Sequence, residues 1–259
     1  MRSGASSTTG WIKGNSYESG YWACPTEARR LQVWDRGALD GYVTLEKQER
    51  SHWVSADMVA LQQEIDAKIQ HARADILSLD DRHDRAIIYV SAPDGPGAYF
   101  VYDRPTQGMI SIGLVNPKIG LHRLNPVRSI RYKSRDGLEI EAVLTLPKGK
   151  EKALPLIVLP HGGPSARDDE SWDFWTQFLA SRGYAVVQPN YRGSSGYGTK
   201  LADAGQGEWG GKMQDDLVDA ITYLADQGIA DPGRVCIAGA SYGGYAAIRA
   251  AERDASHYR

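Results

Sequence analysis

A chain of 259 residues with 42% hydrophobic and 24% charged side chains has a globular composition and the length for one or two domains around a sizeable core. Its net charge of −2 argues against a nucleic-acid-binding surface, and no apolar run approaches the ~20 residues a membrane-spanning helix needs. The opening residues lack the apolar core of a signal peptide, which favours the cytoplasm over export and leaves the compartment otherwise unknown; Cys24 and Cys236 suggest neither a disulfide framework nor a metal site.

Residues 1–20 are rich in Gly, Ser and Thr without a period and read as loop or disordered terminus. From 21 to 125 short strands alternate with turns. Leu31–Arg36 and Tyr42–Glu46 flank a Gly/Asp turn, and Arg85–Ser91, Ala98–Asp103 and Met109–Val115 form a meander. Val33-Trp34-Asp35-Arg36 recurs as Val101-Tyr102-Asp103-Arg104. This offset exceeds a propeller blade of about 40–50 residues unless a segment is inserted. Residues 55–69 supply one: Met58, Leu61, Ile65 and Ile69 fall at helical spacing, with Ser55 or Asp57 as the cap. Propeller blades and a generic antiparallel sheet fit this stretch equally.

Residues 120–127, with Pro117 and Pro126, read as a linker. Ser129–Ser134 and Leu138–Leu146 then form a hairpin through Arg135-Asp136-Gly137. Strands and helices alternate from there, as a largely parallel sheet with helices on its faces requires. Leu156–Leu159 is a buried strand, Ser171–Ala180 a helix ended by Gly183, and Tyr184–Gln188 the next strand. A helix follows with Met213, Leu217, Ala220, Ile221 and Leu224 on one face. Val235–Ala238 reads as a buried strand, in which Cys236 is expected as a small core residue.

Gly239-Ala240-Ser241-Tyr242-Gly243 lies between that strand and a helix-forming run, the setting that makes G-x-S-x-G a nucleophile elbow. An ordinary or phosphate-binding Gly/Ser turn is the alternative. In an elbow, Ser241 projects its hydroxyl above the sheet beside the positive end of the next helix. Upstream, His161-Gly162-Gly163-Pro164 ends the Leu156 strand, where open α/β sheets place their ligands. The candidate oxyanion-hole donors are the backbone N–H groups of Gly163 and Tyr242, and losing one such donor typically costs about 3 kcal/mol of barrier.

His161-Gly-Gly-Pro, Ser181-Arg-Gly-Tyr-Ala-Val, Asn190-Tyr-Arg-Gly-Ser-Ser-Gly-Tyr-Gly, Glu208-Trp-Gly-Gly-Lys-Met-Gln-Asp-Asp and Gly239-Ala-Ser-Tyr-Gly-Gly-Tyr-Ala together resemble the prolyl oligopeptidase family of serine peptidases, in its acylaminoacyl-peptidase-like branch. The resemblance is strong over residues 85–259. It implies an α/β-hydrolase fold, truncated after the nucleophile helix, preceded by the last blades of a β-propeller that filters substrates by size. Residues 21–125 would be the C-terminal part of the propeller, and 126–259 the N-terminal part of the peptidase domain.

The same resemblance implies Ser241 as nucleophile, Gly163 and Tyr242 as oxyanion hole, a peptide substrate and no cofactor or metal. It leaves open a homo-oligomer of the intact enzyme. Some relatives add a tyrosine hydroxyl from the oxyanion loop, but residues 161–167 contain none. The triad Asp and His should follow Ser241. Asp254 and His257 do follow it, but the intervening helix carries Asp254 ~16 Å from the elbow. Both partners are therefore expected to be absent from this chain, which reads as an inactive fragment of a larger enzyme. His161 is the nearest imidazole, and the family uses it to shape the oxyanion loop. A carboxylesterase and a non-catalytic remnant are the alternatives. Arg192 with Asp215 and Asp216 reads as an ion-pair network, Trp209-Gly210-Gly211 as a packed turn, and Trp172, Phe174 and Trp175 as core, with the lining of a substrate pocket as the alternative.

Overall fold

Strand periodicity carries the first half of the chain. In the computed structural model, which describes residues 11–13, 21–23, 28–32 and 40–259, these strands form three antiparallel sheets. β1 (Trp11–Lys13) pairs with β2 (Tyr21–Ala23). β3 (Ala28–Gln32), β4 (Gly41–Leu45) and β5 (Glu49–Trp53) form the second sheet. β6 (Arg73–Leu79), β7 (Arg85–Ala92), β8 (Gly95–Asp103) and β9 (Gly108–Leu114) form the third in meander order. Leu31 and Gln32, the described residues of the strand expected at 31–36, lie in β3. Residues 33–36, the first copy of the repeat, lie outside the described residues, as do Cys24 and most of 1–20.

The inserted helix is α1 (Ala56–Asp66), with Met58, Leu61 and Ile65 fully buried against Ala74, Ile76, Ile88 and Tyr102. Each such side chain contributes roughly 2 kcal/mol by leaving water. The Ser55 side chain makes no capping bond. Asp57 instead accepts from Arg104 Nη1 at 2.7 Å, and Glu64 accepts from Arg104 Nη2 at 3.0 Å. The last residue of the repeat thus ties the insertion to its sheet.

The described residues divide into two compact units, one running to Ser91 and resuming over Gly97–Pro117, the other comprising Ala92–Pro96 and Lys118–Arg259. The second is built on a five-stranded sheet in the order β10-β11-β13-β12-β14. β10 (Val127–Lys133) and β11 (Glu139–Thr145) form the expected hairpin, and β11 runs antiparallel to β13 (Ala185–Asn190). β12 (Leu154–Val158) lies parallel to β13 on one side and to β14 (Ala230–Ile237) on the other. The chain therefore changes direction across the sheet at β12. Such a reversal opens a crevice at the carboxyl ends of the strands.

Alternation along β12 assigns its two faces. Leu156 and Val158 pack with Met213, Leu217, Ala220, Ile221 and Leu224 of α4 (Lys212–Asp226), all buried as the spacing predicts. α3 (Thr199–Asp203) is a short turn before it. Ile157 and Leu159 face the other way and join Val186, Leu179 and Tyr184, beneath α2 (Phe174–Ala180). α2 starts three residues later than expected because the Asp173 carboxylate accepts the Thr176 N–H at 2.8 Å.

Two burial expectations fail. Phe174 and Trp175 are 56% and 49% exposed, because α2 turns Thr176, Gln177 and Ala180 inward instead. Cys236 is exposed as well. Val235 takes the α4 face, so period-2 alternation turns Cys236 to the opposite side of β14, at the sheet edge, where its Sγ donates to the Arg259 carbonyl at 3.2 Å.

Candidate active site

β14 ends at Ile237, and α5 (Tyr242–Arg253) begins five residues later. Ser241 stands between them with φ 55° and ψ −124°, a left-handed conformation that costs a non-glycine residue about 1–3 kcal/mol. Serine at a helix N-cap ordinarily bonds the first-turn amides. Here it makes no capping bond, so the hydroxyl is not spent on its own helix. The flanking glycines are required by contact. A Cβ on Gly239 would lie 2.5 Å from the Gly243 carbonyl carbon, and one on Gly243 would strike the Pro160 carbonyl oxygen. Strand end, helix start and the His161–Pro164 loop meet backbone to backbone.

The His161–Pro164 loop passes beside the serine. A Cβ built on Gly162 would lie 3.3 Å from Ser241 Cβ and 3.7 Å from its Oγ. Gly163 follows at φ 117°, a value that excludes ordinary side chains, and its peptide to Pro164 is cis. Among the described residues neither the Gly163 nor the Tyr242 amide donates to a backbone carbonyl. Tyr242 is the first residue of α5, where helix geometry leaves the amide without an internal acceptor. The sequence-predicted trio of Ser241, Gly163 and Tyr242 thus falls on two adjoining segments at the β12 switch point.

His161 is held from several sides. Its Nδ1 lies 2.7 Å from the Gly162 carbonyl oxygen and its Nε2 2.9 Å from the Ser194 hydroxyl, which donates to the Tyr191 carbonyl at 2.6 Å. Burial holds the imidazole pKa below its ordinary value. Both ring nitrogens are engaged within the loop's own support. Asp254 closes α5, and His257 lies in the following 3₁₀ turn, so the 12-residue helix separates both from the elbow.

Tyr191 and Ser194 lie inside the Asn190–Gly198 motif, yet nothing in their spacing announces a contact with His161. Asp168 was also not legible. It lines a recess of about 250 Å³ with Gly162, Asp173, Trp175, Gln188 and Gly239. Burial, reinforced by the charges of Asp173 and Asp169, pushes its carboxyl up to about 7, and its Oδ2 has no hydrogen-bond partner among the described residues.

The Arg192 network stands behind the site. The Arg192 Nε and backbone N–H both donate to Asp216 Oδ2 at 2.9 Å, Nη2 to Asp216 Oδ1 at 2.8 Å, and Nη1 to Asp136 Oδ2 at 2.8 Å. The hydrogen bonds donated by Arg192 draw the Asp136 carboxyl down to about 2. Asp215 pairs instead with Arg253 and Arg135. Trp209 is largely exposed, not packed in, with its edge against the Tyr242 ring at 5.1 Å.

A mixed sheet that reverses at β12, with a glycine-flanked serine between its edge strand and a helix, is the architecture of an α/β-hydrolase. Antiparallel propeller-type sheets precede it in the chain. Residues 170–259 match the profile of the prolyl oligopeptidase family. Over 179 residues the chain is 41% identical to dipeptidyl aminopeptidase BIII of Pseudoxanthomonas mexicana, covering 66% of this chain and 26% of that protein. A solved puromycin hydrolase superposes with a TM-score of 0.54 at 28% identity, over 66% of this chain and 27% of that one. The acylaminoacyl peptidase of Pyrococcus horikoshii gives a TM-score of 0.60 at 22% identity, over 87% and 35%. Residues 170–259 thus carry the signature of the prolyl oligopeptidase family, and the chain spans about a quarter of the length of the curated relatives it matches.

Proposed function

We propose that the protein is a serine peptidase that cleaves peptides through an acyl-enzyme on Ser241. Residues 21–125 are assigned to a β-propeller and 126–259 to the hydrolase domain. The observation that carries the reading is the strained backbone of Ser241, held beside Gly162 with its hydroxyl free of any capping bond. Strain of this kind persists where surrounding structure enforces it, and it clusters at reactive groups.

In the proposed reaction Ser241 Oγ attacks the scissile carbonyl carbon while its proton passes to an imidazole base. The carbonyl π electrons move onto oxygen, and the oxyanion is received by the Gly163 and Tyr242 N–H groups, aided by the N-terminus of α5. Collapse of the tetrahedral species expels the amine, which takes the proton from the imidazolium, and leaves a Ser241 ester. Water then repeats the sequence and releases the acid. His161 is not assigned as the base, because both its nitrogens serve the loop. The family signature and the dipeptidyl aminopeptidase relative favour a peptide over an ester as the physiological substrate.

The test compares peptidyl nitroanilides with p-nitrophenyl esters on the full-length protein and its Ser241→Ala variant. Hydrolysis of the nitroanilides that disappears in the variant supports the reading. Hydrolysis of esters alone makes the protein an esterase. Turnover that survives Ser241→Ala removes the assignment of the nucleophile.

A further inference from the structure

Two separate stretches of chain supply the proposed oxyanion donors: the loop after β12 and the start of α5. Their amides must hold one spacing to serve a single oxygen, with donors about 2.7–3.1 Å from it. Something has to fix one stretch against the other. Tyr191, the residue after β13, is fully buried and touches both.

Its hydroxyl donates to the His161 carbonyl oxygen at 2.8 Å. Its ring stacks on the His161 imidazole at 4.4 Å between centroids and 16° between planes. The other contact is the Tyr242 ring, at 5.6 Å and 27°. Among the described residues Tyr191 is the one aromatic side chain stacked on both segments. Each neighbour is anchored in turn, His161 Nε2 on the Ser194 hydroxyl and the Tyr242 hydroxyl on Met213 Sδ at 2.8 Å.

We infer that Tyr191 is the positioning residue of the oxyanion hole, clamping the His161–Gly163 loop to Tyr242 so that the Gly163 and Tyr242 amides keep a common aim. This rests on the proposed roles of Ser241, Gly163 and Tyr242. Burial pushes the phenol pKa well above its ordinary value, so the hydroxyl remains a donor at any working pH. Tyr191 touches no substrate in this account. It acts through the two segments, so its loss lowers kcat more than it raises KM, because the donors engage the oxyanion only as the transition state forms.

The experiment uses Tyr191→Phe, which keeps both stacks and removes the hydroxyl bond, and Tyr191→Leu, which removes both. Two readouts are taken on the full-length protein: the rate of Ser241 phosphonylation by a fluorophosphonate, and amide hydrogen exchange of residues 159–166 and 239–245, with α4 as internal reference. The expected loss of phosphonylation rate is about tenfold for Tyr191→Phe and about a hundredfold for Tyr191→Leu, the scale of a 1 Å misplacement. Exchange should quicken in both segments together while α4 keeps its protection.

Unchanged exchange in either segment of Tyr191→Leu overturns the inference, as does unchanged phosphonylation in both variants. If wild-type Ser241 takes no label, the nucleophile reading falls instead, and the exchange data alone decide whether Tyr191 couples the two segments. Should Tyr191→Leu fail to fold, Tyr191→Phe decides by the same two readouts.

Discussion

Gly243 and the Pro160 carbonyl oxygen lie so close that no Cβ fits between them. This contact joins the first turn of α5 to the end of β12, and so joins the Ser241 turn to the His161–Pro164 loop. Gly243→Ala should therefore cost about 2–4 kcal/mol, or prevent folding, because backbone must move on both sides. Gly244→Ala, where the nearest backbone atom would be 3.3 Å away, should stay within about 1 kcal/mol of wild type. Urea unfolding of the two variants side by side checks this contrast.

Ser241 holds a left-handed backbone that glycine adopts freely. Ser241→Gly should raise stability by about 1 kcal/mol, the strain released less the entropy glycine adds to the unfolded chain. A shift of the urea midpoint upward at constant m would show it. A downward shift would mean that the serine conformation is not strained.

Asp168 sets a pH dependence. Burial first, then the Asp173 and Asp169 charges, raise its carboxyl to about 7, with Arg167 opposing. Between pH ~4 and ~7 the folded chain retains a proton the unfolded chain has lost. Its contribution to stability is thus complete below about pH 4 and is lost as pH rises through about 7. Asp168→Asn, which stays neutral throughout, should flatten this part of the stability profile and be more stable than wild type at pH 8 by about 2–4 kcal/mol. Chemical denaturation at several pH values measures both effects.

The buried Arg192–Asp216 pair predicts a non-additive response. Arg192→Met leaves an uncompensated carboxylate at a fully buried position and should cost about 3–5 kcal/mol. Adding Asp216→Leu should restore part of that loss, since the double variant buries no charge. A double-mutant cycle on unfolding free energies tests the sign of the coupling.

Much of the hydrolase unit is legible in the sequence because its signals are local. The α4 face follows from Met213, Leu217, Ala220, Ile221 and Leu224, and the elbow follows from glycines that flank one serine after an apolar run. β5, Glu-Arg-Ser-His-Trp, carries no apolar alternation and is recognisable only from its pairing with β4. β6 does alternate at Ala74 and Ile76, but an irregularity between Ile76 and Ser78 breaks the period. Cys236 and Trp175 depart from the burial their residue types suggest for a different reason. Residue type says that a side chain prefers burial, while the face it takes depends on which elements the fold brings against it. The Tyr191 clamp is long-range in the same sense, formed by residues from three parts of the chain.

The Ser241 hydroxyl carries the proposed chemistry, and the most direct test is to locate a covalent adduct on it. Full-length protein treated with a fluorophosphonate, digested and mapped by mass spectrometry should carry the phosphonyl group on the peptide containing Ser241, and on no peptide in the Ser241→Ala variant. A label on another serine, or none on the folded full-length protein, would contradict the account.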